Sequence, residues 1–386
     1  MAPMKAVTYQ GPGRMRVIDK PLPQIEHPDD IVLRVTRTAI CGSDLHLYHG
    51  LVPDTRVGAT FGHEFAGVVE EVGPAVATLK RGDRVVVPFN IACGTCFYCK
   101  RGLSAMCESS NCSCSIGGGA FGYSHTTGGY EGGQAEFVRV PFADVGPFKV
   151  PDDMHEEDVL FLSDILPTGY QAAEMGGIKP GETVCVFGAG PVGLMTMRCA
   201  WLMGAGRVIA VDRLQYRLDF ARSWAGAETY NFAQDGDDVV GALREMTDGR
   251  GPDVCIDAVG CEARGSAMHW LLGNAKLQAG SATALGWAIQ AARRGGDVVM
   301  IGVYGPPWNL LPIGDAMNKG LTLRGAQCSV KRYMPHLLEH IREGRLDPKS
   351  IISHRLPLDQ AADAYRMFDE KSDDCIKCVL VPPLAA

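Results

Sequence analysis

Apolar and polar positions divide the chain into two kinds of segment. Up to residue 150 the apolar runs are short and punctuated by Gly and Pro. Residues 31–38, 67–72 and 83–87 are rich in β-branched side chains and read as strands of an irregular β-rich domain. The glycine-dense stretch 117–133 reads as a long loop. Beyond residue 165, strand-length runs alternate with helix-length ones. Strands are expected at 183–187, 208–212, 254–258 and 297–302, and helices at 194–203, 217–224 and 284–294. That alternation predicts a parallel sheet with helical crossovers. Residues 273–285 are extra length inside this unit. Helices at 334–343 and 360–368 and a last strand at 376–381 complete the pattern.

Composition narrows the class. Of 386 residues, 46% are hydrophobic and 21% charged, which fits a globular chain and excludes a largely disordered one. Glycine is 47 residues, well above the usual ~7%, but without a triplet period. The net charge of −7 carries no basic footprint for nucleic acid. No apolar run approaches the ~20 residues of a membrane span, and the first residues carry no signal-like segment. A cytoplasmic chain is expected. Fourteen cysteines then suggest thiolate–metal chemistry rather than a disulfide framework.

Cys93-Gly-Thr-Cys96-Phe-Tyr-Cys99, with Cys107 close behind, places four thiolates at spacings that can close on one tetrahedral zinc. An iron–sulfur cluster is the other group such a set holds. A closed set of this kind is structural. Gly188-Ala-Gly190-Pro191-Val192-Gly193 falls between an expected strand and an expected helix. There the first glycine makes the turn, the second admits a pyrophosphate, and the third lets helix pack on strand. Asp212 ends the next strand, where a carboxylate accepts both ribose hydroxyls of NAD and repels the 2′-phosphate of NADP. Arg213 beside it works the other way, because a guanidinium tolerates that phosphate. Cys41-Gly-Ser43-Asp44-Leu-His46, Gly62-His63-Glu64 and Asp164 offer soft, borderline and hard metal ligands, but spacing alone does not bring them together. Cys375 and Cys378 look like a redox or metal pair and are read as packing residues of the closing strand. Cys112 and Cys114 are read as loop residues, and the acidic stretch 152–158 as a solvated helix start.

Over nearly its full length the chain resembles the zinc-containing medium-chain alcohol dehydrogenases. The resemblance is carried by residues 41–46, Gly62-His-Glu-Phe-Ala-Gly67, the four-cysteine lobe and residues 188–193. Residues 162–170 and 132–137, and the extra length near 273–285, are similar to the glutathione-independent formaldehyde dehydrogenase branch. Typical members have a cysteine where this chain has Asp164, and that branch has an aspartate.

The resemblance implies an α/β subunit with a chaperonin-10-like β-rich catalytic domain (1–165 and 326–386). A Rossmann domain with a doubly wound parallel sheet (166–325) would lie between, with the active site in the cleft. It implies NAD and two zinc ions per chain. Cys41, His63 and Asp164 would hold the catalytic zinc, and Cys93, Cys96, Cys99 and Cys107 the structural one. Glu64 would sit close enough to exchange onto the catalytic metal. Asp44 would orient His63, or simply cap the loop after Ser43. Ser43 and His46 would relay the proton. Thr168 would touch the nicotinamide, Arg217 the adenosine ribose and Lys377 a cofactor phosphate. The implied substrate is a small primary alcohol or hydrated aldehyde such as formaldehyde, and the implied assembly is a homo-oligomer, tetramer before dimer. Polyol and threonine dehydrogenases are the nearest alternative, although they carry glutamate as third ligand. A non-catalytic zinc protein is the distant one. If residues 273–285 cover the cofactor, retained NADH could return its hydride to a second aldehyde.

Overall fold

The computed structural model describes residues 3–112, 117–260, 282–304 and 310–383. Packing divides the chain into two units, Met1–Pro167 with Cys328–Ala386, and Thr168–Gln327. The first unit opens with strands β1 (Met4–Tyr9), β2 (Met15–Lys20), β3 (Ile31–Ala39), β4 (Glu64–Val72) and β5 (Arg84–Val87). It continues with β6 (Asn90–Ile91), β7 (Gly119–Ala120), β8 (Phe137–Val140) and β9 (Phe148–Lys149). The second unit holds β10 (Thr183–Phe187), β11 (Arg207–Asp212), β12 (Glu228–Asn231), β13 (Val254–Asp257), β14 (Asp297–Met300) and β15 (Thr322–Gly325). The chain then returns to the first unit with β16 (His354–Pro357) and β17 (Cys378–Val381).

In the first unit, β16-β17-β3-β4-β5-β9 form one sheet, and β8 also pairs with β3. Ile31, Leu33 and Val35 alternate into its core and meet Phe65, Val69, Val85 and Val87 there, the period of two that a half-buried strand requires. Gly67 allows β4 to lie against β3, since a Cβ there would stand 2.2 Å from the Arg34 carbonyl oxygen. Because β17 pairs antiparallel with β3, the end of the chain completes the sheet that its beginning starts. Helices α1 (Gly42–Tyr48) and α2 (Glu156–Val159) belong to this unit, and α3 (Ile165–Met175) crosses the boundary between the two.

The second unit is a six-stranded parallel sheet in the order β12-β11-β10-β13-β14-β15. This is the doubly wound order of dinucleotide-binding sheets. Its central strand is Thr-Val-Cys-Val-Phe, buried from Val184 to Phe187, as a strand covered on both faces must be. Helices α4 (Pro191–Leu202), α5 (Gln215–Ala225), α6 (Val239–Glu245), α7 (Thr283–Ala291) and α8 (Ile313–Lys319) accompany it. Helices α9 (Met334–Arg342) and α10 (Ala361–Glu370) return to the first unit.

Several elements depart from the sequence pattern. Strand β12 (Glu-Thr-Tyr-Asn) and β15 (Thr-Leu-Arg-Gly) are the two edges of the parallel sheet, and an edge strand needs no continuous apolar run. The 117–133 loop contains the short strand β7 and a helical turn at His125–Thr127. The 152–158 stretch is tied down rather than merely solvated. Glu157 pairs with Arg355 at 2.8 Å and Arg37 at 3.2 Å, and Asp158 with Lys349 at 2.6 Å. Of the extra length 273–285, the residues up to 281 lie outside the described residues, as does Cys114. The expected cofactor cover falls on that stretch and so lies largely outside the described residues.

Candidate metal centres and nucleotide-binding turn

Strand β3 delivers Cys41 to the start of α1, and the first turn of that helix is organised by Asp44. Its Oδ2 accepts the Cys41 backbone N–H at 3.0 Å, closing the helix N-terminus as an acidic side chain at this position does. Its Oδ1 lies 3.2 Å from His63 Nδ1, an ion-pair contact without an aligned hydrogen bond. Asp44 therefore both caps the helix and faces the imidazole, so the two readings of the sequence coexist. Gln134 backs it, donating from Nε2 to Asp44 Oδ2 at 3.3 Å and to the Ala39 carbonyl at 3.2 Å. Tyr365 on α10 donates to Gln134 Oε1 at 2.7 Å. Sequence reasoning missed both supports; only the segment around Gln134 carried a signal.

Cys41, His63, Glu64 and Asp164 come together with one donor atom from each lying within 4.8 Å of the others. Asp164 Oδ2 is 3.4 Å from both Cys41 Sγ and His63 Nε2. The Ser43 hydroxyl is 3.2 Å from the same His63 nitrogen. All four ligand candidates are buried. Burial and the neighbouring Glu64 and Asp164 carboxylates push the Cys41 thiol up to about 11. Burial opposes a charge on His63, yet Asp44, Cys41 and Asp164 together raise its pKa well above the ordinary value. Glu64 is raised by burial despite Lys377. Three acidic groups packed this closely call for a cation. Glu64 Oε2 is also buried with no hydrogen-bond partner among the described residues. The donor set of thiol, imidazole and carboxylate fits zinc.

Lys377, expected at a cofactor phosphate, is fully buried, with Nζ 2.8 Å from Glu64 Oε1. A desolvated ammonium must find an opposite charge, and Glu64 supplies it. Ser43 and His46 share α1, but the His46 ring is directed to the Tyr123 hydroxyl, 3.5 Å from Nδ1.

The second centre gathers Cys93, Cys96, Cys99 and Cys107 with all sulfur atoms within 4.8 Å of one another. Backbone N–H groups point at the sulfurs: Cys107 Sγ accepts from Cys93 at 3.3 Å, and Cys93 Sγ from Cys96 at 3.3 Å. Burial opposes ionisation of Cys93, but hydrogen bonds from Ser109 and Thr95 outweigh it and bring the thiol down to about 6. Burial and the adjacent thiols push Cys99 upward. Four thiols this close cannot all ionise against each other, so this set also fits a cation.

In the second unit, Gly188 follows β10 with φ +95°, a conformation that favours glycine. A Cβ on Gly193 would stand 1.9 Å from the Gly188 carbonyl oxygen, so helix and strand meet there without room for a side chain. At Gly190, by contrast, a Cβ would meet only Arg217 Nη1, at 3.4 Å. Protein packing alone does not demand glycine at that position, whereas a phosphate drawn to the backbone does. Pro191 opens α4 and Val192 and Gly193 follow, leaving first-turn N–H groups without partners inside the helix. Asp212, at the end of β11, accepts N–H groups from Ala189 at 2.7 Å, Arg213 at 2.7 Å and Leu214 at 3.0 Å. Those bonds join it to the glycine turn. Thr168 lies on α3.

Residues 27–152 match the alcohol dehydrogenase GroES-like domain, and residues 191–271 match the zinc-binding dehydrogenase domain. A zinc-type alcohol dehydrogenase-like protein of Bacillus subtilis, AdhB, is 48% identical over 98% of this chain and 100% of its own. A glutathione-independent formaldehyde dehydrogenase of Pseudomonas aeruginosa is 36% identical over 96% of each chain. Among solved structures, the alcohol dehydrogenase TADH of Thermus sp. ATN1 superposes with a TM-score of 0.85. It is 38% identical and covers 98% of this chain and 100% of its own. The fold and site define an oxidoreductase built from a GroES-like and a Rossmann-like domain. The chain belongs to the zinc-containing medium-chain alcohol dehydrogenase family.

The Lys377–Glu64 pair generates a prediction. Lys377→Met leaves a buried carboxylate uncompensated and should cost about 3–5 kcal/mol of stability. Adding Glu64→Gln should recover most of that loss, read by urea unfolding of the four proteins of the cycle. Strictly additive effects would show that the two side chains are not coupled.

Proposed function

We propose that this protein oxidises small primary alcohols or hydrated aldehydes, formaldehyde among them, with NAD as hydride acceptor. The observation that carries this reading is the buried group of Cys41, His63 and Asp164 with the partnerless Glu64 Oε2 beside it. Zinc held by those three residues would supply Lewis acidity, making a substrate hydroxyl more acidic. NAD bound at the 188–193 turn would take the hydride from the substrate carbon.

The remaining work falls to side chains of the chain itself. Asp44 holds the His63 ring from the side opposite Asp164. Ser43, whose hydroxyl lies 3.2 Å from His63 Nε2, accepts the substrate proton, and His46, one turn along α1, passes it outward. Lys377 neutralises Glu64 while Glu64 stands apart from the ligand set. The four-cysteine lobe holds a second, structural zinc. Asp164, an aspartate where typical members carry cysteine, matches the formaldehyde dehydrogenase branch and supports a formaldehyde-type substrate. A homotetramer in the cytoplasm completes the reading.

Initial rates of NADH formation across formaldehyde, methanol, ethanol, longer alcohols and polyols, without glutathione, test it. Activity should be highest with the small primary substrates. Asp164→Ala should lose at least 100-fold in kcat/KM and one zinc per chain while remaining folded. A polyol preference, or an Asp164→Ala protein with full activity, would contradict the reading.

Asp212 sets the cofactor. Its carboxylate opposes the 2′-phosphate of NADP, and the lost ribose contact with like-charge repulsion is worth about 2–4 kcal/mol, roughly 30- to 1,000-fold in kcat/KM. Equal efficiencies with NAD and NADP would show that the Arg213 guanidinium cancels that charge.

A further inference from the structure

We propose that Cys375, Cys378 and His354 form a third metal site, for a thiophilic cation of the zinc class, outside both centres described above. The parallel pairing of β16 and β17 sets His354 directly opposite Cys378. The turn after α10 brings Cys375 to the same point, with its Sγ 3.4 Å from that of Cys378. One donor atom from each of the three residues lies within 4.8 Å of the others. Two thiolates on one tetrahedral zinc stand about 3.8 Å apart, so a small spreading of this pair accommodates the ion.

The surroundings are those of a ligand set. His354 Nε2 lies 3.0 Å from Asp373 Oδ2, and Nδ1 lies 2.9 Å from the Ser353 hydroxyl. Whichever ring nitrogen takes the cation, the other keeps an oxygen partner, as metal-bound imidazoles do. Ser353 also fixes the turn between the cysteines, its Oγ accepting the N–H groups of Ile376 at 3.0 Å and Lys377 at 3.1 Å. Both cysteines are buried, whereas the His354 side chain is 19% exposed and gives the ion a way in. Core packing accounts for two buried thiols. It does not account for an imidazole, itself held by a carboxylate, brought to the same point.

Binding is balanced by proton release. Each thiol gives up its proton to solvent, and the cation gains two thiolates and one neutral imidazole, with water or Asp373 at the fourth position. The ion would staple the turn after α10 to the edge of the sheet, and Lys377 lies between its two sulfur ligands.

The proposal stands apart from the reading of the reaction, and its test reads metal rather than turnover. Purified wild-type, His354→Ala and Cys375→Ser proteins are loaded with zinc, desalted in the presence of a competing chelator, and analysed for zinc per chain by mass spectrometry. Wild type should carry one zinc more than either variant, whatever the total. Cobalt(II) substitution should show a matching loss of near-ultraviolet thiolate charge-transfer absorbance. His354→Ala, at the partly exposed edge, keeps the test decisive if Cys375→Ser does not fold. Equal zinc in wild type and His354→Ala overturns the proposal. A one-zinc difference in a protein without dehydrogenase activity would support it while the proposed reaction failed.

Discussion

Acidic groups buried at one point organise the first unit. Cys41, Glu64 and Asp164 arrive from three separate segments, and among the described residues Lys377 and His63 offer compensating charge. Burying such groups without a partner is costly, and pairing in a low-dielectric interior recovers the cost only when geometry and hydrogen bonding are good. The surrounding structure meets that demand in stages. Asp44 steadies His63, Gln134 steadies Asp44, and Tyr365 steadies Gln134. Each step is carried on a different segment, so the site depends on the assembled unit rather than on any one loop.

The same constraint explains why both ends of the chain build this unit. Lys377, just before β17, pairs with Glu64, and α10 brings Tyr365 to Gln134. A sheet ending at β3 would leave the buried Glu64 without its lysine partner. Pairing of β17 with β3 therefore serves the site as well as the fold. In the second unit the requirement is the opposite one, closeness without side chains. Gly188 and Gly193 let β10 and α4 nearly touch, and Asp212 ties the neighbouring strand end to the same turn.

How far the sequence carries depends on whether chemistry is local. The four-cysteine lobe and the 188–193 turn are legible because their residues are close along the chain and their spacing states the geometry. The central strands β10, β11 and β13 are legible because burial on both faces forces apolar runs. The edges β12 and β15 lack that constraint and were missed. The catalytic set is not readable from spacing: residues 41, 63 and 164 meet only through the sheet, and a family resemblance had to propose them. The pairing of Lys377 with Glu64 was likewise not legible, since residues 64 and 377 meet only through the fold. Cys375 and Cys378 are core residues, as their place in the closing strand suggested, and the pairing of β16 and β17 adds His354 beside them.

The central claim is that the buried group of Cys41, His63 and Asp164 holds a zinc ion in the working enzyme. Anomalous diffraction from crystals of active protein, recorded on both sides of the zinc absorption edge, tests it most directly. A zinc peak within bonding distance of Cys41 Sγ, a His63 ring nitrogen and an Asp164 carboxylate oxygen is the expected result. Protein that forms NADH from an alcohol yet shows no anomalous peak at those three side chains would contradict it.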